Sequence, residues 1–444
     1  MKPFVVVQGP VATRSGYGNH TRDLVASLIK ADKYDIQIIS LPWGNTPTDA
    51  LKPDNEMHRR IEQCIARQAI NKQPDVFIQV SVANEFQAHG KYNIGITAGV
   101  ETDRPPGEFI EGCNRMDLIL ATSEYTKESL CNVTYDKMDE KTNQKVSEVK
   151  IEKPVEVLFE GADLDVYRKI KSDECHESVK EYLDTIPEAF NFLFVGHWLK
   201  GDLGQDRKDV GMMIKTFCEA FKNKARHNKP GLILKTSNAT FSIIDRDHVT
   251  SKIQQIIEPY GDKAPNIYLI HGDLTDEEMN SLYNHKKVKA MISFTKGEGF
   301  GRPLLEFTLA EKPVIVSDHS GHKDFLKYFH PLPGDLTEVH TSAADKFLLK
   351  GSKWFTVNYA YAAGVLRDCV DNYKNYLKVA KRQAYHSKTN FSLEAMDTLF
   401  CNYVDAGLNN IPTPVSLKLP KLSKKTGNAE VPKLKLPKLK KVEA

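Results

Sequence analysis

Two carboxylates, Glu298 and Glu306, stand with seven residues between them in Lys296-Gly297-Glu298-Gly299-Phe300-Gly301-Arg302-Pro303-Leu304-Leu305-Glu306. A carboxylate accepts through two oxygens and can hold both hydroxyls of a sugar diol. Three glycines ahead of a helical run offer backbone N–H groups and a positive helix end to an anion. A ligand with a diphosphate at its centre and a sugar on each side answers all of these features, and a nucleotide sugar is such a ligand. Glycines alone are weaker evidence, because the same pattern also makes an ordinary turn flanked by two surface glutamates.

These residues need elements to hold them. Ala290–Phe294 is apolar throughout and reads as a buried strand, and Leu304–Ala310 reads as a short helix. Pro303 suits the first helical position, where its missing N–H costs nothing. Lys312-Pro313 stops the helix, and Val314–Ser317 is the next strand. The same alternation runs through the whole chain. Before it come strand-like runs at Phe4–Val7, Asp35–Ser40, Asp75–Val80, Asn93–Thr97, Asp117–Ala121 and Val155–Phe159, with helical stretches such as Thr21–Lys30 and Met57–Ile70 between them. A second series begins at Phe192–Gly196 and continues through the helix Val210–Phe221 and the strands Leu232–Leu234 and Ile267–Ile270. Further helices are expected at Val357–Leu377 and from Phe391 to about Leu408. Strands alternating with helices predict parallel sheets covered by helices, with ligands at the carboxyl ends of the strands. Ser15-Gly16-Tyr17-Gly18 lies at one such end and can again turn N–H groups to an anion. The polar stretch from Asn132 to Lys150 reads as an exposed insertion.

In this strand–loop–helix–strand setting, Glu-Gly-Phe-Gly-x-Pro-x-x-Glu resembles the Glu-x7-Glu signature of retaining GT-B glycosyltransferases, specifically glycosyltransferase family 4. The resemblance extends more weakly over most of residues 1–410. It implies an α/β chain of two Rossmann-like domains facing a cleft: residues 1–163 on the acceptor side, residues 164–388 binding the nucleotide sugar, and a helix over 389–411 crossing back to the first domain. In the family the first Glu, here Glu298, approaches the donor sugar, and the second, here Glu306, holds the ribose. The backbone of Gly299, Phe300 and Gly301 then faces the sugar and diphosphate, and Gly16 faces the diphosphate across the cleft. Relatives carry Arg and then Lys after the first strand of the second domain, and both grip the diphosphate. His197 stands in the usual Arg place here. Lys208 matches the Lys, and Arg207 beside it is the best source of a guanidinium; such cations stabilise a departing diphosphate. An adjacent pair of cations also suits a solvated surface. Lys235 is a weaker third candidate.

Leu274, in His271-Gly272-Asp273-Leu274-Thr275, lies in a stretch resembling the loop that cups the base. Glu101, Asp103 and Arg104 are the acceptor-side candidates, where many relatives have a His; a loop salt bridge is the alternative reading. Glu160 replaces the Asn of the family's Pro-Asn-Gly-Val-Asp crossover. His20, His319 and His322 read as structural. Asp163-Leu164-Asp165 and Asp245-Arg246-Asp247 are formally Asp-x-Asp, but one lies in the crossover and the other at a helix start. The resemblance therefore implies no metal, and no cofactor besides the donor substrate.

The bounds agree with this reading. The chain has 444 residues, 41% hydrophobic and 27% charged, as expected of a soluble protein with room for two α/β domains. No apolar run reaches membrane-spanning length. The start reads as a first strand rather than a signal peptide. The seven scattered cysteines, with no Cys-x-x-Cys, point to a reducing compartment, so the expected location is the cytoplasm. The Asn-x-Ser/Thr matches at Asn132, Asn238 and Asn390 are then chance. Residues 412–444 read as a disordered basic tail: from Val415 onward nine Lys face two Glu, a charge of +7, leaving 52 Lys and Arg against 56 Asp and Glu, or −4, in the rest. Leu-Lys-Leu-Pro-Lys-Leu occurs there twice. Such a tail attracts a polyanion or only solubilises. The acceptor is left open among a glycan, a protein, a lipid-linked sugar and, through the tail, nucleic acid. A catalytically inactive GT-B scaffold is the rival in a different class.

Overall fold

Strands at the centre of a helix-covered parallel sheet are apolar on both faces. Val5, Val6 and Val7, and likewise Phe192, Leu193 and Phe194, are all buried, so each run seeds its own sheet. The computed structural model describes residues 2–139, 141–238 and 240–411. The expected basic tail, residues 412–444, lies outside the described residues.

The first sheet is wholly parallel. It is built from β1 (Phe4–Gly9), β2 (Asp35–Ser40), β3 (Val76–Val80), β4 (Tyr92–Thr97), β5 (Leu118–Ala121) and, after an exposed antiparallel hairpin of β6 (Tyr135–Met138) and β7 (Lys145–Val149), β8 (Val155–Val157), in the order β2-β1-β3-β4-β5-β8. The second contains β9 (Asn191–Val195), β10 (Gly231–Lys235), β11 (Ile267–Ile270), β12 (Val288–Ser293), β13 (Val314–Ser317) and β14 (His330–Leu332), in the order β11-β10-β9-β12-β13-β14. That is the doubly wound order, which reverses direction between β9 and β12. A small antiparallel pair, β15 (Gly334–Glu338) and β16 (Lys353–Val357), follows. Helices cover both faces of each sheet, giving two Rossmann-like lobes with separate cores.

The described residues end in two long helices with different hosts. Tyr373–Asn390 packs on the second lobe, where Gln383 donates to Phe325 O at 2.7 Å. Leu393–Asn409 crosses back and places Met396, Phe400 and Val404 in the core of the first lobe. Tyr34 fixes it there, donating to Asp405 at 2.6 Å.

Two expected helices differ. Val357 closes β16, and the helix starts at Tyr359, where Asn358 accepts from the Tyr361 N–H; the segment then breaks at Asn372 into two helices. The Met57–Ile70 run stays helical only to Cys64, because Ile65 turns extended and bridges Ile38 beside β2. All seven cysteines are free thiols. No helix among the described residues is long and apolar enough to cross a membrane.

The crossing is tight at Gly161, where an added Cβ would lie 2.5 Å from Leu393 Cα. Gly161→Ala is expected to push the last helix off its seat and to cost about 1–3 kcal/mol. A lowered urea midpoint would show this; an unchanged midpoint would mean the crossover yields freely.

Candidate active site

The reversal between β9 and β12 leaves a crevice at their carboxyl ends, because the loops that follow depart in opposite directions. The loop after β9, His197–Asp209, folds back against the loop after β12, and Lys296 N–H donates to Arg207 O at 2.8 Å. A buried ion pair locks the two together. Lys296 Nζ lies 3.3 Å from Asp209 Oδ2, with side-chain exposures of 1% and 0%. Thr356 Oγ1 accepts from Lys296 at 2.9 Å, and Tyr359 donates to Asp209 at 2.7 Å. Burial still pushes Asp209 up to about 6, against the pull of Lys296.

On this base the predicted charges meet. Lys208 bonds to Glu298 Oε1, and Arg207 Nη1 lies 4.0 Å from Glu298 Oε2. Arg207 also pairs across the cleft with Glu101 of the first lobe at 2.8 Å. Burial alone would push Glu298 up; Lys208 and then Arg207 outweigh it and hold the carboxylate below its ordinary range. Burial in turn draws the Lys208 ammonium down, and Glu298 opposes that. The result is a cluster of two cations and two carboxylates held at the mouth between the lobes.

The glycines serve close approach. A Cβ on Gly297 would lie 2.3 Å from Glu101 O, and one on Gly299 would lie 2.7 Å from Ala98 O. Ser123 donates to Gly299 O at 2.6 Å, again across the cleft. Glu298 N–H donates to Ser320 Oγ at 2.9 Å. Gly301 has φ +96°, a left-handed conformation that lets the helix Arg302–Thr308 begin one residue later.

That helix points Glu306 inward. Arg302 Nε donates to Glu306 Oε1 at 3.0 Å, and Tyr283 OH lies 3.4 Å from Oε2. Arg302 also reaches Asp23 of the first lobe at 2.5 Å. One guanidinium thus serves two bonded carboxylates, with Glu160 as a third acid in its field. It cannot offset all three. Burial raises Glu306 and Glu160 each to about 7 and raises Asp23 as well, with Arg302 opposing in every case. His20, one turn before Asp23, is 3% exposed, and neither ring nitrogen has a hydrogen-bond partner among the described residues. Burial, and then Arg302, draw His20 down to about 3, so its ring is neutral.

The remaining sequence candidates fall in several places. Gly16 starts the helix Gly16–Ala31, and an added Cβ there would meet nothing within 4 Å, whereas one on Gly18 would lie 2.3 Å from Thr13 O. Leu274 packs in the second-lobe core beside its loop. Asp273 of that loop pairs with Arg14 of the first lobe. Lys235 donates to Gly272 O at 2.7 Å, and His271 lies 2.8 Å from Asp245, so both brace the loop His271–Thr275. Asp103 and Arg104 bond to backbone of the β16 approach: Asp103 accepts from Lys353 N–H at 2.7 Å, and Arg104 donates to Gly351 O at 2.8 Å. Of the three acceptor-side candidates, only Glu101 touches the charged cluster. His197 meets Ser237 Oγ at 3.2 Å. His319 stacks on Phe355, and His322 meets Ser317 O at 2.7 Å. Sequence reading gave no role to Asp23, Arg302, Lys296 or Asp209. The one available signal was Lys296, a cation two places after the apolar run Ala290–Phe294 and directly before the glycines of the motif.

Residues 214–345, which include Glu298 and Glu306, match the family model described as glycosyl transferases group 1. No curated protein sequence matches the chain. Among solved structures, a crystal structure of Anabaena Alr3699/HepE in complex with UDP and glucose aligns with TM-score 0.58 at 10% identity, covering 91% of this chain and 100% of that one. Sucrose-phosphate synthase from Thermosynechococcus elongatus aligns with TM-score 0.60 at 11% identity, covering 91% and 99%. A glycosyltransferase from Rickettsia africae aligns with TM-score 0.59 at 14% identity, covering 92% and 99%. At these identities the likeness is one of fold, and the fold is GT-B.

Glu160 offers a pH test. Its folded value of about 7 lies above the ordinary 4.5, so between the two the folded chain keeps a proton that the unfolded chain releases. Stability therefore falls as pH rises through that window and levels off above it. Glu160→Gln removes this loss. Relative to the parent, the variant is expected to gain about 1–3 kcal/mol between pH 5 and pH 8 in urea unfolding. An equal difference at both pH values would mean that Glu160 is solvated.

Proposed function

We propose that the chain is a retaining, metal-independent glycosyltransferase, akin to glycosyltransferase family 4, that moves a hexosyl or pentosyl group from a nucleotide-diphosphate sugar to an acceptor hydroxyl. The observation that carries this reading is Glu298, buried between Lys208 and Arg207 at the strand-order reversal, with Glu306 on the helix that follows. The family-model match across both glutamates supports it, as does the structural likeness to a protein solved with UDP and glucose.

The diphosphate competes with Glu298 and Glu101 for Lys208 and Arg207. As the bond from the sugar carbon to the phosphate oxygen breaks, negative charge grows on that oxygen, and the two cations stabilise it. Glu298, released from part of its pairing, accepts from hydroxyls of the donor sugar. Glu306 accepts from the ribose diol, an exchange in which Arg302 keeps its bond to Asp23. The acceptor oxygen bonds to the sugar carbon on the face the phosphate leaves, and its proton passes to the departing phosphate oxygen. No protein base is needed for that transfer. Gly16 and the backbone of Gly299, Phe300 and Gly301 line the diphosphate path, and Leu274 belongs to the loop that meets the base. Glu101 is the acceptor-side residue best placed to act, because Arg207 already reaches it.

Arg207→Ala or Lys208→Ala is expected to slow transfer by roughly a hundredfold or more. Glu306→Ala is expected to weaken donor binding by about 1.5–3 kcal/mol, and Glu298→Ala to lower turnover more than binding. A chelator should leave the rate unchanged. These are read by transfer or donor hydrolysis with a panel of nucleotide sugars. A parent protein that binds nucleotide sugar but never cleaves it is a scaffold, and a rate that needs added metal refutes the metal-independent part.

A further inference from the structure

The loop that presents Arg207 and Lys208 has a second face. Trp198, Leu203 and Asp206 wall a half-open pocket of about 780 Å³, bordered by the helices Val210–Phe221 and Ile243–Ile257 and the turn Glu258–Lys263. It lies behind the loop, outside the charged cluster that meets the first lobe. Its volume is that of a small-molecule site, roughly 300–1,000 Å³.

The lining combines an apolar wall with a small excess of positive charge. Trp198, Ile256 and Tyr260 form the wall. Of the acids, Glu219 is taken by Lys222 at 2.6 Å and by Tyr260 OH at 2.9 Å. Asp206, 1% exposed, accepts from Val210 N–H at 3.2 Å. Among the described residues, Lys215, Lys252 and Lys263 make no ion pair within 4.0 Å, although Asp206 acts on Lys252 and Glu219 on Lys215; with Lys222 the lining carries four cations against the three acids Asp202, Asp206 and Glu219. Lys252 sits 5.1 Å from the Trp198 ring centroid, so one cation is already set over an aromatic face. Cations clustered beside an apolar wall suit a phosphate ester whose body packs on that wall.

We propose that this cavity binds a small phosphate-bearing metabolite, a sugar phosphate or a nucleoside monophosphate, and that its occupancy adjusts the grip of Arg207 and Lys208. The phosphate is held by Lys215, Lys252 and Lys263, and the body lies on Tyr260 and Ile256, beside the buried edge of Trp198. The route to the active site is one residue long: Asp206 lines the cavity, and Arg207 follows it. The loop is also pinned at its outer edge, where Lys200 pairs with Asp345 at 2.9 Å. A ligand that moves Trp198 and Asp206 therefore moves the inner end of the loop. This coupling rests on the donor role assigned to Arg207 and Lys208; the binding itself does not.

The test uses the full-length protein with AMP, ribose 5-phosphate and unphosphorylated adenosine, read by calorimetry and by tryptophan fluorescence against Trp198→Phe. Saturable binding of a phosphorylated probe is expected, with adenosine weaker by roughly tenfold or more. Lys215→Gln/Lys252→Gln, which keeps side-chain length, should weaken it by a similar factor, while Arg207→Ala/Lys208→Ala, which disables the donor grip, should not. AMP binding without ribose 5-phosphate binding assigns a nucleotide site; the converse, or both, assigns a sugar-phosphate site. A bound probe should change the donor KM or kcat at least about twofold in the parent and not in the Lys215/Lys252 variant. Absence of binding by both phosphorylated probes, affinity unaltered in the Lys215/Lys252 variant, or affinity lost in the Arg207/Lys208 variant overturns the site. Binding with unaltered kinetics in an active enzyme overturns the coupling. Should the protein transfer no sugar at all, the calorimetric arm still decides whether the cavity binds phosphate esters.

Discussion

A carboxylate taken out of water must find cations or lose its charge, and Glu298 is held to its charge by Lys208 and Arg207. Much of the second lobe depends on that requirement. The loop after β9 must return to the loop after β12, and the Lys296–Asp209 pair beneath fastens it. Removing either partner of such a buried pair strands the other charge, at a cost of about 3–5 kcal/mol. Two pairs at one junction therefore keep the loop His197–Asp209 seated despite its length and its three glycine or left-handed turns at Gly201, Gly204 and Asp209.

The same junction limits how the lobes can meet. Gly297 and Gly299 bring bare backbone against Glu101 and Ala98, where a methyl group would collide. This contact brings Glu101 within reach of Arg207. The glycines of the motif thus do more than expose N–H groups. They let the first lobe press on the loop that carries Glu298, so lobe approach and the charged cluster form together.

A different balance governs the neighbouring end of the site. Arg302 faces Asp23, Glu160 and Glu306 together, with Arg22 adding only to its pull on Asp23, so burial wins at all three carboxyls. A group poised near 7 changes charge readily when a ligand hydroxyl or phosphate arrives, and functional sites are where such poise recurs. His20, neutral and without a partner among the described residues, adds a polar ring to that wall with no charge to compete for Arg302.

The residues alone determined the alternating strands and helices, the helix at Val210–Phe221, and the motif with both glutamates, because these follow from hydrophobic period and from neighbours a few places apart. They also brought out Arg207 and Lys208, cations set directly before a helix. The boundaries at Cys64 and Val357 were not legible, since a bridge to β2 and pairing with β15 overrode local preference. Equally hidden was the wider constellation. Arg302 and Asp23 are 279 residues apart, and Asp209 and Lys296 belong to different loops. Asp103 and Arg104 looked no different from Glu101 in sequence, yet the first two bond to backbone near β16 and only Glu101 meets the cluster. Which charges share one buried space depends on how the strand order reverses and how closely two lobes approach. Those are properties of the folded chain, because a side chain's partner is set by distance in space and its cost by the water excluded around it.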